Sequence, residues 1–180
     1  LLLGTRLGLD PYRRADLRGP RDGPLVQALC SQSLAQARRL ESGRPVALDV
    51  SARRFDPQRS DPRHLERMRW FLRAGWGSRP HYQAGPARTE ERRATLLLPC
   101  LRPADWTLTL RLAVPAAQRL ELKLNGQALA TLALSPAEPR YQAAVPAALL
   151  FRGDNELALE AEAPGLELQQ LRLQPVEGRP

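Results

Sequence analysis

The chain has 180 residues, enough for one domain of ordinary size with an N-terminal arm. Its formal net charge of +8 is uneven: residues 1–93 hold 19 Arg against 10 acids, whereas residues 94–180 hold 8 Arg or Lys against 9 acids. The arginines are scattered among acids without interleaved aromatics, which argues against a nucleic-acid groove, and no run reaches the ~20 apolar residues of a membrane-crossing helix.

The opening Leu1-Leu-Leu-Gly4 lacks a Met, so the chain reads as a piece of a longer polypeptide. Its compartment, cytoplasmic or cell-envelope associated, would then follow from the part upstream, and no direct membrane insertion is expected. Gly4, Gly8, Pro11, Gly19 and Pro20 make residues 1–21 a connector. Asp22-Gly-Pro24 can start a helix, and Leu25, Val26, Leu29, Cys30, Leu34, Ala37 and Leu40 recur at helical spacing. Gly43 can close it in a left-handed cap, so a helix is expected over Pro24 to Glu41. Residues 1–44 form the arm, the expected tail of an upstream domain and a partner surface for it.

Val46, Leu48 and Val50 share one face of a short strand that opens the second unit, residues 45–180. A charged loop follows, and Asp61-Pro62 starts a second expected helix, to Ala74, with Leu65, Met68, Phe71 and Leu72 on its apolar side. Gly75-Trp-Gly-Ser-Arg-Pro-His-Tyr82 is the loop richest in glycine and aromatics. Trp76 there either offers a ring to a sugar or plugs the open end of the fold.

From Ala94 onward the pattern alternates with period two. Strands are expected to enter at Ala94, Trp106, Arg119, Ala128, Arg140, Asn155 and Leu166, which with Val46 makes eight. Asn125-Gly126 suits a two-residue hairpin turn, and the apolar phase slips between Leu168 and Leu171, as at a bulge. Eight one-faced strands imply a mainly β fold, a two-sheet antiparallel jelly-roll sandwich with a short α-helical N-terminal arm. Cys30 and Cys100 read as two small core residues or as a disulfide joining arm to sandwich.

Three motifs in fixed order carry a resemblance. Arg69-Trp-Phe-Leu-Arg-Ala-Gly-Trp76, Leu120-Glu-Leu-Lys-Leu-Asn-Gly126 and Val145-Pro-Ala-Ala-Leu-Leu-Phe-Arg-Gly-Asp-Asn-Glu-Leu157 together resemble the galactose-binding-like jelly rolls. These are carbohydrate-binding-module-like sandwiches appended to bacterial glycosyltransferases, glycosidases and envelope-polysaccharide proteins. The resemblance spans about residues 46–176 and implies an accessory module that holds a glycan or polysaccharide. It departs after Gly75-Trp76, where relatives continue with Pro-Glu and a further Trp, but this chain has Arg79-Pro80-His81-Tyr82 and its next acids are Glu90 and Glu91.

The ligand-binding residues expected from the loop and the resemblance are Trp76, His81, Tyr82, Glu90 and Arg92. Stacking would fall to Trp76 or Tyr82, and hydrogen bonding to His81, Glu90 or Arg92. Catalytic, metal and cofactor roles find no support in the sequence. His64 and His81 are its only histidines and lie in no triad context, and the adjacent Glu90 and Glu91 would point to opposite faces of a strand. The alternative function is a structural or protein-interaction spacer with no ligand.

Overall fold

The computed structural model describes residues 34–49, 72–77 and 86–176. Nine strands follow in chain order: β1 (Val46–Asp49), β2 (Ala87–Arg88), β3 (Arg93–Cys100), β4 (Trp106–Ala113), β5 (Gln118–Leu124), β6 (Gln127–Leu134), β7 (Arg140–Val145), β8 (Gly153–Ala161) and β9 (Glu167–Pro175). They form two antiparallel sheets, one ordered β1-β9-β4-β7 with β2 added to β9, the other β3-β8-β5-β6. Consecutive long strands mostly change sheets, as a jelly roll requires, and the eight expected strands are all present. The two-residue β2 is too short to leave a periodic signal.

Alternation decides what each strand buries. Trp106, Leu108, Leu110 and Leu112 of β4 face inward with Leu120, Leu122 and Leu124 of β5, Leu157 and Leu159 of β8, and Leu168, Leu171 and Leu173 of β9. Each of these leucines contributes about 1.5–3 kcal/mol by leaving water. The phase slip in β9 is a bulge: Gln170 lies opposite Arg111 and Leu168 opposite Leu112, so Gln169 is extra and Leu168 returns to the core. Pro99 lies within β3, opposite Asp154; β3 is the edge of its sheet, where a missing N–H is tolerated.

Residues 34–41 form the end of the first expected helix, here α1. Ser42 and Gly43 finish it: Gly43 has φ +77°, its N–H donates to the Leu40 carbonyl, and the Arg44 N–H reaches the Arg39 carbonyl, a Schellman cap. Leu40 is buried in the sandwich core, so the last turn of the arm shares that core. The earlier part of this helix, residues 24–33, and residues 61–71 of the second expected helix lie outside the described residues. The end of that second helix is corrected: Leu72 makes a β-bridge with Leu96, and the Arg73 N–H donates to the Thr95 carbonyl. The open edge of β3 takes the hydrogen bonds that a helix would have made within itself.

Two motifs meet through a side-chain amide pair. Asn125 (φ +52°) and Gly126 (φ +81°) make the β5–β6 turn with both residues left-handed, the geometry that fits the twist of a hairpin. The Asn125 Nδ2 donates to the Asn155 Oδ1 at 2.9 Å and to the Leu149 carbonyl at 2.8 Å, while its Oδ1 accepts from the Glu156 N–H at 2.9 Å. Asn155, wholly buried, also accepts from the Phe151 N–H at 2.9 Å and donates to the carbonyls of Phe151 and Gly153 at 3.0 and 3.2 Å. Asn155→Ala should cost about 3 kcal/mol in urea melts, because buried donors and acceptors lose their partners together. Asn125→Gly, which keeps the turn geometry and removes only the side-chain bonds, should cost about 1–2 kcal/mol. Equal stability of either variant and wild type would contradict this account.

Candidate functional site

The site expected from sequence lies where residues 72–77 meet β2 and β3. Gly75 has φ +82°, and a Cβ there would stand 2.0 Å from the Arg93 carbonyl oxygen, so only glycine lets this segment lie against the start of β3. Thr95, 4% exposed, fastens the segment: its Oγ1 accepts from the Ala74 N–H at 3.2 Å and its own N–H donates to the Ala74 carbonyl at 2.9 Å. Trp76 then pairs with Thr89, framed by bonds from the Glu90 N–H to the Gly75 carbonyl at 2.9 Å and from the Gly77 N–H to the Arg88 carbonyl at 2.8 Å. Thr89 ties the assembly to the far side, its buried Oγ1 accepting the N–H groups of Gly165 and Leu166, both at 3.1 Å.

The half-buried Trp76 packs on the core, and its Nε1 donates to the Thr95 carbonyl at 2.7 Å. That bond uses the polar handle of the indole within the fold. Glu90 is exposed, with its carboxylate over Gly77: a Cβ on that glycine would meet the Glu90 Oε1 at 2.8 Å. Arg92, also exposed, lies two residues further along the same turn, and its carbonyl accepts from the Ala161 N–H at 2.8 Å. The structure therefore sets Glu90 over Gly77, the chain neighbour of Trp76, with Arg92 two residues beyond Glu90; His81 and Tyr82 lie outside the described residues. Sequence reasoning missed Thr89 and Thr95. Nothing in their local pattern separates them from other strand threonines, since their partners are distant in the chain.

Trp76→Phe, which removes the indole N–H, should lower stability by about 1 kcal/mol, and Trp76→Ala by about 3 kcal/mol. Urea denaturation followed by circular dichroism measures both. An Ala variant as stable as wild type would mean that the ring is free of the core.

Beside this segment, on the outer side of β8, Asp154 has both carboxylate oxygens buried without a hydrogen-bond partner. Burial pushes its pKa up to about 7, against the opposing pull of the Arg73 guanidinium. A raised carboxyl pKa means that the folded state holds a proton that the unfolded chain has released above about pH 4. Stability should therefore fall as pH rises from about 4 to about 7, by up to about 4 kcal/mol, and then level off. Asp154→Asn should flatten that slope, leaving the variant more stable than wild type at pH 8 but not at pH 4; an unchanged slope would place the titration elsewhere.

Cys100 is a free, buried thiol whose pKa burial raises to about 11, which keeps it protonated and unreactive at neutral pH. Cys30 lies outside the described residues. Among the described residues, no group of three or more His, Cys, Asp and Glu is placed to hold a metal ion.

No protein-family model and no curated protein matches this chain. Solved structures similar to it include the GH26-CBM35 β-(1,4)-mannanase of Podospora anserina, with 14% identity and a TM-score of 0.46, covering 76% of this chain and 28% of that one. A family 35 carbohydrate binding module from Clostridium thermocellum has 14% identity and a TM-score of 0.42 over 58% of this chain and 87% of that one. A family 35 module from an environmental isolate has 20% identity and a TM-score of 0.42 over 59% and 84%. The two-sheet sandwich is read from the strand order and register of this chain itself.

Proposed function

We propose that this chain is a non-catalytic carbohydrate-binding accessory module of a larger bacterial cell-envelope or polysaccharide-processing protein, such as a glycosyltransferase. The observation that carries the proposal is the exposed Glu90 carboxylate over Gly77, next in the chain to Trp76, on backbone held by Gly75, Thr89 and Thr95. A carboxylate acceptor and the nearby Arg92 donors suit sugar hydroxyls, and the part of the half-buried Trp76 indole left exposed suits the apolar side of a ring. His81 and Tyr82 complete the proposed set, with Tyr82 as the second stacking ring. No bond is broken in this scheme: the module holds a polymer near a tethered enzyme. One shallow site of this kind binds with a Kd on the order of millimolar to micromolar, and tethering raises the effective concentration.

A second reading, a spacer with no ligand, is favoured by the Trp76 Nε1 bond to Thr95, which ties the ring to the fold. The two separate by titration calorimetry on the whole chain with neutral oligosaccharides. The module reading expects Glu90→Ala/Arg92→Ala to weaken binding at least about tenfold without lowering Tm, the effect of losing one or two charge-assisted hydrogen bonds. No binding of any oligosaccharide at millimolar concentration would leave the spacer.

A further inference from the structure

The outward faces of the two sheets treat charge differently. On the β3-β8-β5-β6 sheet the cations have partners: Arg93 meets Glu156 at 3.1 Å and Glu160 at 3.4 Å, Lys123 meets Glu160, and Arg119 meets Glu121 at 3.3 Å. The outward positions of β4, β7 and β9 instead carry mostly threonine, glutamine and arginine, with Ala113, Ala144 and a single carboxylate, Glu167, at the far end of β9. On this face Arg111 and Arg140 are direct cross-strand partners, a like-charge placement that costs stability unless an anion offsets it. Among the described residues, no carboxylate forms an ion pair with Arg111, Arg140 or Arg172.

Two adjoining hollows mark this face. One, about 360 Å³, lies over Thr107, Thr109, Arg140 and Gln142; the other, about 430 Å³, lies between α1 and β1 and is lined by Gln36 and Arg39. Arg172 borders both, so together they make a trough across the strands from β7 to α1. Among the described residues, neither hollow is lined by a carboxylate or an aromatic ring. Trp106 and Tyr141, the aromatics of β4 and β7, point inward and are buried.

We infer that this trough binds an anionic polysaccharide, a chain bearing carboxylates on successive sugars, with Arg140, Arg172 and Arg39 pairing the carboxylates and the Thr and Gln side chains meeting the hydroxyls. The inference rests on the carbohydrate-binding reading above but places a second ligand site on a different surface. Neighbouring strands stand about 4.8 Å apart, roughly the width of a sugar ring, so a chain laid across them presents about one sugar per strand. The guanidinium fork matches a carboxylate in two parallel hydrogen bonds. A neutral glycan would find no ring to stack on, and a nucleic acid no platform for its bases. Because the arginines are solvent-facing, binding weakens steeply with salt.

The test is titration calorimetry of the whole chain with polygalacturonate, with its methyl-esterified form, and with polyuridylate as competitor. Arg140→Gln/Arg172→Gln should weaken polygalacturonate binding at least about tenfold, and the exposed Arg140→Gln alone about threefold, for the loss of charge-assisted bonds. The single variant carries the test if the double one melts early. The ester should bind far more weakly than the acid. The inference is overturned if Arg140→Gln has no effect, if acid and ester bind alike, or if polyuridylate competes equally well. Neutral oligosaccharides bound through Glu90 and Arg92, with no affinity for polygalacturonate, would sink the trough and leave the module reading standing; no binding of any glycan would sink both.

Discussion

The amide pair between Asn125 and Asn155 is the interaction on which this sandwich most depends. It joins the β5–β6 turn to the start of β8 inside a core made mostly of leucine, where dispersion and burial are strong but not directional. Leucine packing alone permits several registers of comparable energy. A buried asparagine whose oxygen and nitrogen each have fixed partners permits one, since a slip by one residue would leave polar atoms unsatisfied and turn Leu157 and Leu159 outward.

A second constraint works at the edge of the other half of that sheet. Residues 72–77 cover the backbone of β3 through Thr95, and the fit holds because Gly75 has no side chain to collide with Arg93. Covering an edge strand protects it from pairing with another chain. The same contact fixes where Trp76, Thr89 and Glu90 stand, so stability and any glycan contact at this end share one set of hydrogen bonds. Asp154 lies on the strand next to β3 with no hydrogen-bond partner, and its protonation tracks how closely this region is packed.

The two sheets divide the surface labour. One carries a network of paired charges that neutralises itself; the other carries arginines that have no carboxylate partner among the described residues, set among amides and hydroxyls with hollows between them. A sandwich buries one face of each sheet and leaves the other to evolve independently, so the outward residues can be read for ligand chemistry without disturbing the core.

The sequence by itself determined eight of the nine strands, the Asn125-Gly126 turn, the cap at Gly43 and the bulge after Leu168, because each is written in local periodicity or in residues that tolerate positive φ. Its local composition and motif also nominated Trp76, His81, Tyr82, Glu90 and Arg92 as candidate ligand-binding residues. Local pattern could not say that Trp76 gives its N–H to Thr95, nor that Leu72 would join β3 rather than end a helix: both depend on hydrogen bonds to residues about twenty positions away. The face shared by Arg140 and Arg172 was hidden for the same reason. β7 and β9 are separated in the chain by a strand of the opposite sheet, and only the jelly-roll strand order sets them on either side of β4. Periodicity decides which way a side chain points; tertiary pairing decides what it stands beside.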